Sequence, residues 1–463
     1  MAQFGFGGRS GQSMQDTTIE KMRVAAHTLG CKLNYAETSS ISKQFVDRGF
    51  SLVPFGGDAD VVLLNTCSVT ENAEKECRHL VRRALRHSPN AFVIVTGCYA
   101  QLRPEEIASI EGVDLVLGAN EKFEIFSHLS AFDKLEGPKV IAADIADAVD
   151  FHTASSDAGD ARTRAFLKVQ DGCDYSCSFC TIPKARGASR SAKIDEVFER
   201  AIRLCEAGFH EVILSGVNVG DFGKQSGTNF LELLQSLDTE STITARIRVS
   251  SIEPNLLSDE IIELVANSDK FCPHFHIPLQ SGSSKILRLM QRRYQPELYR
   301  SRIEKIKAIM PHAGIGADVI VGFPDETDAD FRESYEFIQS LDISYLHVFT
   351  YSERPGTKAS LMSDAVPVHA RRERNRTLRI LSEKKKRAFY ETQLGREMTV
   401  VLDRGEGLRE GFTENNVRVK LSEEVSRETE VVRVRLEALI GDVVLGEVLE
   451  VLGCRREELL PIL

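Results

Sequence analysis

Long apolar runs are missing from this chain. No stretch of its 463 residues approaches the ~20 consecutive apolar positions of a membrane helix, which excludes a helical membrane protein. The first residues, Met1-Ala-Gln-Phe-Gly-Phe-Gly-Gly-Arg-Ser-Gly-Gln-Ser13, lack the apolar core of a signal peptide. Residues 1–20 read as a disordered tail, or as sequence upstream of a start at Met14 or Met22. Without an export signal the expected compartment is the cytoplasm, where thiols stay reduced and can bind metal. A basic excess is missing as well: 58 Lys and Arg face 68 Asp and Glu, a net charge of −10. That excludes blanket adhesion to nucleic acid, which draws its affinity from Lys/Arg–phosphate contacts. A local basic patch is still compatible with such a partner.

What is present is a cysteine triplet in Asp171-Gly-Cys-Asp-Tyr-Ser-Cys-Ser-Phe-Cys-Thr-Ile-Pro183. Cys173, Cys177 and Cys180 form Cys-x3-Cys-x2-Cys. An odd local count without a secretory signal argues against disulfides. Zinc sites show paired Cys-x2-Cys or Cys/His units, and no His follows closely. Three thiolates at this spacing hold three irons of a 4Fe–4S cluster. Full protein ligation takes four cysteines, and no fourth lies nearby, so one iron is left for a ligand that is not protein. The spacing resembles the radical SAM superfamily. The resemblance implies that the open iron chelates S-adenosylmethionine and reduces it to a 5′-deoxyadenosyl radical.

Around the triplet the sequence alternates strand and helix signals, the pattern of an α/β protein. Val24-Ala-Ala26, Val61-Val-Leu-Leu64 and Phe92-Val-Ile-Val-Thr96 read as buried strands, with helices at 35–48, 71–87 and 104–110. This predicts an N-terminal parallel-sheet domain of the flavodoxin/Rossmann-like kind over 21–136. Residues 137–163, rich in Ala, Asp, Ser and Gly, read as a linker. Six further strand–helix units fit an open (β/α)6 partial barrel over 164–392, where a full barrel needs eight. That unit closes on a long basic helix, 368–394. From 393 to 460 short strands without a long helix predict a small β-barrel.

A second set of cysteines emerges from that reading. Cys31, Cys67 and Cys98 each stand just past the carboxyl end of a predicted strand, in His27-Thr-Leu-Gly-Cys31, Leu64-Asn-Thr-Cys67 and Thr96-Gly-Cys98. In a parallel sheet those ends share one edge, where ligands bind. The three thiols are either a second cluster site, again with an open iron, or three unrelated core cysteines. Cys77, Cys205, Cys272 and Cys454 read as structural or incidental.

Both triplets, the barrel and the C-terminal β domain together resemble the methylthiotransferase family of radical SAM enzymes. The motifs that carry the resemblance are Thr28-Leu-Gly-Cys31-Lys-Leu-Asn, Asn65-Thr-Cys67-Ser-Val-Thr, Thr96-Gly-Cys98-Tyr-Ala-Gln, the radical SAM triplet, and Gly411-Phe-Thr-Glu-Asn-Asn-Val-Arg418, the last similar to a TRAM domain. The resemblance implies two 4Fe–4S clusters, an auxiliary one on Cys31, Cys67 and Cys98 and the radical-generating one on Cys173, Cys177 and Cys180. It implies that one S-adenosylmethionine methylates sulfur held at the auxiliary cluster. A second supplies the radical that takes hydrogen from an unreactive C–H, a bond that acid–base chemistry alone does not open. Ser250-Ser-Ile-Glu-Pro254 and Ser215-Gly-Val-Asn-Val-Gly-Asp-Phe-Gly223 look most like the branch acting on N6-threonylcarbamoyladenosine beside the tRNA anticodon. The alternatives are the branches acting on isopentenyladenosine or on an aspartate of a ribosomal protein. A rival of another class is an RNA-binding protein with one structural cluster.

Further candidates follow from position. Tyr175 and Phe179 lie within the triplet loop. Ser215, Gly216 and Asn218 follow the second barrel strand. Glu253 and Asp318 sit at strand ends, and Gln280 follows the fourth strand, with Ser283 or Ser284 as a helix cap. These are the expected cofactor contacts, alternatives being ordinary βα turns. For tRNA phosphates the candidates are Arg371, Arg372, Arg374, Lys384 and Lys385 on the basic helix and Arg418 in the β domain. That domain is acidic, with 15 Asp and Glu against 10 Lys and Arg from Gln393 on, which keeps the protein-modifying branch in play. The expectation is a monomer without a membrane, working with a sulfur donor and an electron donor that the motifs do not name.

Overall fold

Three units succeed one another in a computed structural model that describes residues 22–67, 71–129, 131–156, 163–404, 407 and 409–454. The expected N-terminal tail and the last residues of the β domain lie outside the described residues. The first unit is a six-stranded sheet of β1 (Arg23–Thr28), β2 (Ser51–Val53), β3 (Val61–Thr66), β4 (Phe92–Gly97), β5 (Leu115–Leu117) and β6 (Lys139–Ile141). All neighbours are parallel, in the order β2-β1-β3-β4-β5-β6. Period-2 alternation explains the layers. Val61 and Leu63 pack on one face with Ile41 and Phe45. Val62 and Leu64 pack on the other with Leu80, Val81 and Ala84. The flanking helices are Lys32–Val46 and Glu71–His87. An order beginning 2-1-3 places a topological switch between β1 and β3, the point at which open sheets of this kind bind ligands.

The expected linker is partly sheet. Lys139–Ile141 is the edge strand β6, and Ala154–Ser155 pairs antiparallel with Leu167 and Lys168. Composition misjudges both because short edge strands tolerate small and polar residues that interior strands do not.

The second unit carries β7 (Arg164–Lys168), β8 (Glu211–Ser215), β9 (Arg246–Val249), β10 (His274–His276), β11 (Gly314–Val321) and β12 (Tyr345–Thr350). They run parallel in sequence order, with the bridges Ile247–Phe271 and Ser251–His276 joining the two halves. This is the open (β/α)6 arrangement. Helix starts follow local chemistry. Asn229 and Ser258 accept from backbone N–H groups of the first turn, and Thr327 with Asp330 forms a capping box. Ser283 occupies the N-cap of Ser284–Leu289 without a side-chain cap bond.

The third unit is a closed barrel of β13 (Glu397–Leu402), β14 (Glu410–Thr413), β15 (Arg418–Leu421), β16 (Thr429–Ile440) and β17 (Val443–Cys454), in the order β13-β14-β15-β17-β16. Its core of Val400, Leu402, Val419, Val432, Val434 and Val444 takes in Phe389 and Tyr390 from the long helix Val368–Gln393. Arg246 and Arg248 of β9 share the fully buried Glu211. They also donate to barrel carbonyls at Thr399, Phe412, Thr413 and Glu414, fastening the barrel to the second unit. Among the described residues no helix is long and apolar enough to cross a membrane.

Candidate active site

The loop that carries Cys173, Cys177 and Cys180 leaves the barrel after β7. Gly172 adopts φ +71°, and a Cβ there would stand 2.0 Å from the Ala188 carbonyl oxygen, so only glycine lets the loop close. Backbone N–H groups of Tyr175 and Ile182 point at the sulfurs of Cys173 and Cys180, at 3.4 Å each. Arg292 Nη1 donates to Cys177 Sγ at 3.3 Å. Burial pushes the Cys173 thiol up to about 12 and the Cys180 thiol up to about 11. Thiols this high lose their protons at neutral pH only to a metal cation. Donors aimed at all three sulfurs are what a thiolate-ligated cluster requires around it. The residues therefore fit such a group.

Cys31, Cys67 and Cys98 come together at the switch point. Gly30, at φ +102°, backs onto Cys67: a Cβ there would lie 2.7 Å from Cys67 Cβ and 2.9 Å from its sulfur. Gly97, at φ +98°, packs so closely that a Cβ would meet the Thr66 carbonyl oxygen at 2.3 Å. Cys98 starts the helix Cys98–Leu102, where burial pushes its thiol up, Arg186 opposes the push, and Cys31 adds to it. Asn34 Nδ2 donates to Leu29 O at 2.9 Å and to Thr66 O at 3.0 Å, tying the Cys31 and Cys67 loops together.

The two triplets adjoin: the helix Ile182–Arg186, just past Cys180, packs on Cys98–Leu102. A cavity of about 310 Å³ is lined by Phe179, Cys180, Gln280, Asp318, Tyr351 and Arg354, among others, within the range of small-molecule sites. Asp318 Oδ1 lies 3.2 Å from His276 Nε2 and 3.1 Å from His347 Nδ1. Against the upward push of burial, these imidazoles hold Asp318 well below the usual carboxylate range. Ser251 Oγ sits 2.8 Å from His276 Nδ1 and orients that ring.

The expected cofactor contacts divide. Phe179 and Gln280 line the cavity, Gln280 with φ +63°. Tyr175 is buried, its hydroxyl bonded to Asn255 and its ring covered by Arg293 at 4.0 Å. Ser215 donates to Ile213 O, and Asn218 bonds Asp221. Gly216 gives room to Gln170, whose amide joins the Asn218 backbone to the Asp171 and Gly172 carbonyls. Ser215, Gly216 and Asn218 thus brace the cysteine loop from below. Glu253 pairs with Arg292 and so acts on Cys177 through it. Arg292, His276, His347 and Arg186 escaped the sequence reading, since their partners lie far away along the chain.

The basic helix needs a correction. Arg371 and Arg374 are buried: Arg371 pairs with Glu353 and bonds Val366 O, and Arg374 pairs with Glu326 and Asp328. Lys385 donates to Leu341 O. These three hold the helix on the barrel, because a helix lying on a protein must turn one stripe inward. Arg372 and Lys384 face outward in a groove with Arg376, Arg379 and Arg387. Arg418 pairs with Glu410.

Residues 167–338 match the radical SAM superfamily and residues 23–118 match an uncharacterised family, UPF0004. Threonylcarbamoyladenosine tRNA methylthiotransferase MtaB of Bacillus subtilis (strain 168) is 39% identical over 403 residues, covering 86% of this chain and 89% of the relative. The MtaB of Aquifex aeolicus (strain VF5) is also 39% identical, covering 86% and 96%. A tRNA-2-methylthio-N(6)-dimethylallyladenosine synthase of Acetivibrio thermocellus is 31% identical over 91% of this chain and 90% of its own. Among solved structures, the radical S-adenosylmethionine methyltransferase TsrM of Kitasatospora setae superposes with a TM-score of 0.54 at 14% identity, covering 73% of this chain and 77% of its own, a likeness of fold. With two cysteine triplets and relatives of this identity along most of its length, the chain belongs to the methylthiotransferase family of radical SAM enzymes.

Proposed function

We propose that this enzyme 2-methylthiolates N6-threonylcarbamoyladenosine in tRNA, with Cys173, Cys177 and Cys180 holding a radical-generating 4Fe–4S cluster and Cys31, Cys67 and Cys98 an auxiliary one. The observation that carries the reading is the packing of the helix Ile182–Arg186, which begins two residues after Cys180, on the helix Cys98–Leu102, which begins at Cys98. Identity to the MtaB relatives supports the choice of nucleoside.

When bound, the cluster with S-adenosylmethionine supplies a radical able to take an unactivated hydrogen, and the auxiliary cluster supplies sulfur. The chain does the rest. Arg292 places a cation on Cys177 and is held there by Glu253. Phe179, Ile320 and Phe349 give the cavity an apolar wall. Asp318 meets both His276 Nε2 and His347 Nδ1 and so holds the two rings beside the cavity wall it forms. Phosphates of the tRNA meet the outward stripe Arg372, Arg376, Arg379, Lys384 and Arg387.

Anaerobic reconstitution tests the two clusters. About eight irons per chain are expected, falling to about four in the Cys31→Ala/Cys67→Ala/Cys98→Ala variant. About four irons in both proteins overturns the auxiliary cluster. Nucleoside mass spectrometry of a deletion strain tests the substrate. Loss of the 2-methylthio form, with its unthiolated precursor accumulating, is expected. A thiomethylated ribosomal protein, with tRNA unchanged, overturns the tRNA reading.

A further inference from the structure

Between the two cysteine triplets lies a knot of charge without access to water. Glu37, on the helix that follows Cys31, is fully buried, and so are Lys122, Lys168 and Arg186 to within 2%. Lys122 and Lys168 both bond the Glu37 carboxylate, Lys168 Nζ at 3.1 Å. Lys168 also reaches Asp171 Oδ2 at 3.1 Å. Arg186 Nη1 donates to Asp171 Oδ1 at 2.8 Å and to Glu37 Oε1 at 3.0 Å, and Nη2 donates to Asn34 Oδ1 at 2.5 Å. Arg190, 5% exposed, lies 4.0 Å from Asp171 Oδ2.

Position in the chain gives this knot its meaning. Asp171 stands two residues before Cys173, and Arg186 ends the helix Ile182–Arg186 that begins just after Cys180. Asn34 and Glu37 lie in the first two turns past Cys31, and Asn34 itself ties the Cys31 and Cys67 loops. The helix Ile182–Arg186 packs on Cys98–Leu102. One guanidinium therefore bonds the Cys173 loop and the helix that follows Cys31, while its own helix packs on the one that begins at Cys98.

The charges do not cancel. Arg186, Lys122, Lys168 and Arg190 are four cations against the two carboxylates Glu37 and Asp171. Without Lys122, whose ammonium burial pushes down, three still face two. A surplus buried charge is costly unless something of opposite sign sits beside it. A 4Fe–4S core with three thiolates is net negative and gains a further electron on reduction. Cys98 and Cys31 are the sulfurs nearest in effect to Arg186.

We propose that Arg186 is a positioning residue that locks the two cysteine triplets in register, and that its surplus positive charge offsets the thiolates of the auxiliary cluster and raises that cluster's reduction potential. The proposal rests on the two-cluster reading above. Added cation charge favours the reduced, more negative cluster, so its loss lowers the potential.

The test is a redox titration of the reconstituted full chain followed by electron paramagnetic resonance. S-adenosylmethionine perturbs the radical-generating cluster's signal and so tells the two clusters apart. Arg186→Gln is expected to shift the auxiliary reduction equilibrium at least tenfold toward the oxidised form, ~59 mV for one electron, and Arg186→Lys to restore most of it. An unchanged potential in Arg186→Gln with full iron content overturns the proposal. Should Arg186→Gln fail to fold, Lys168→Gln removes a cation of the same knot without touching Asn34, and an unmoved potential there overturns it equally. About four irons in the unsubstituted protein removes the two-cluster reading, and the proposal falls with it.

Discussion

Replacing Glu211 with Gln removes the anion that Arg246 and Arg248 share. The carboxylate accepts from Arg246 Nε at 2.6 Å and from Arg248 Nε and Nη2 at 2.8 and 3.0 Å, with no exposure to solvent. Burial alone would push this carboxyl up. Arg248 and Arg246 outweigh it and hold Glu211 well below the usual carboxylate range. The substitution leaves two buried guanidiniums short of a counter-ion, a loss of about 3–5 kcal/mol for a broken buried pair. For a unit of the barrel's size each kcal/mol is worth roughly 2–4 °C, so the first thermal transition is expected to fall by roughly 6–20 °C. The same arginines hold the C-terminal barrel through Thr399, Phe412, Thr413 and Glu414. Limited proteolysis should therefore cut near the end of the long helix earlier in the variant. The folded pKa is depressed, so this contribution is present above the unfolded value of ~4.3 and disappears as pH falls below it. Glu211→Leu with Arg248→Met should be less damaging than Glu211→Leu alone, because one stranded cation goes with its partner. A Glu211→Gln melt less than ~2 °C below the parent, under 1 kcal/mol, would refute the argument.

Elements were legible where a local period carries them. Val61-Val-Leu-Leu64 and Phe92-Val-Ile-Val-Thr96 are buried on both faces, as continuous apolar runs in a parallel sheet must be. Each of Cys31, Cys67 and Cys98 stands where its strand end puts it, which is why sequence reading grouped them. The strand β6 was not legible, because three edge residues carry too little pattern to outweigh polar neighbours. Nor were the partners of the cysteines. Arg186 meets Glu37 across 149 residues, and Arg292 meets Cys177 across 115. Such pairings follow from tertiary packing, on which single-chain periodicity is silent. The basic helix lies between these cases. Arg371, Arg374, Leu378 and Leu381 form a stripe at helical spacing. A count of charges overlooks that stripe, whereas the 3.6-residue period separates the inward arginines from Arg372, Arg376 and Arg379.

Three further perturbations probe separate parts of the molecule. Arg372→Ala/Arg376→Ala/Arg379→Ala leaves the fold intact, since all three are exposed. It should weaken tRNA binding and lower the salt slope by up to ~2, at ~0.7 or more per lost phosphate contact; filter binding across a salt series reads it, and an unchanged slope removes this face from the interface. Gly97→Ala forces a Cβ to 2.3 Å from Thr66 O at φ +98°. Reconstituted protein should hold about half the parent's iron, the radical triplet alone being filled, and a full complement would show that the auxiliary loops tolerate the shift. The last concerns pH. His274, 6% exposed, meets the Tyr345 hydroxyl at 2.9 Å. Burial pushes its imidazole well below the ordinary value, with Arg248, His276 and Lys32 adding to the effect. The folded protein thus refuses a proton that the unfolded chain accepts below ~6.5. Stability from this group is complete above that pH and is lost as pH falls, with a slope of at most ~1.4 kcal/mol per pH unit. His274→Gln keeps a partner for Tyr345 and cannot titrate. Its unfolding free energy should therefore decline less steeply between about pH 6.5 and 5. His27, His152 and His312 are also pushed down by burial and remain in the variant, so the slope decreases by one group's share and does not vanish. Identical slopes in denaturant titrations of the two proteins would mean that His274 takes up its proton while folded, which a buried imidazole facing two cations should not do.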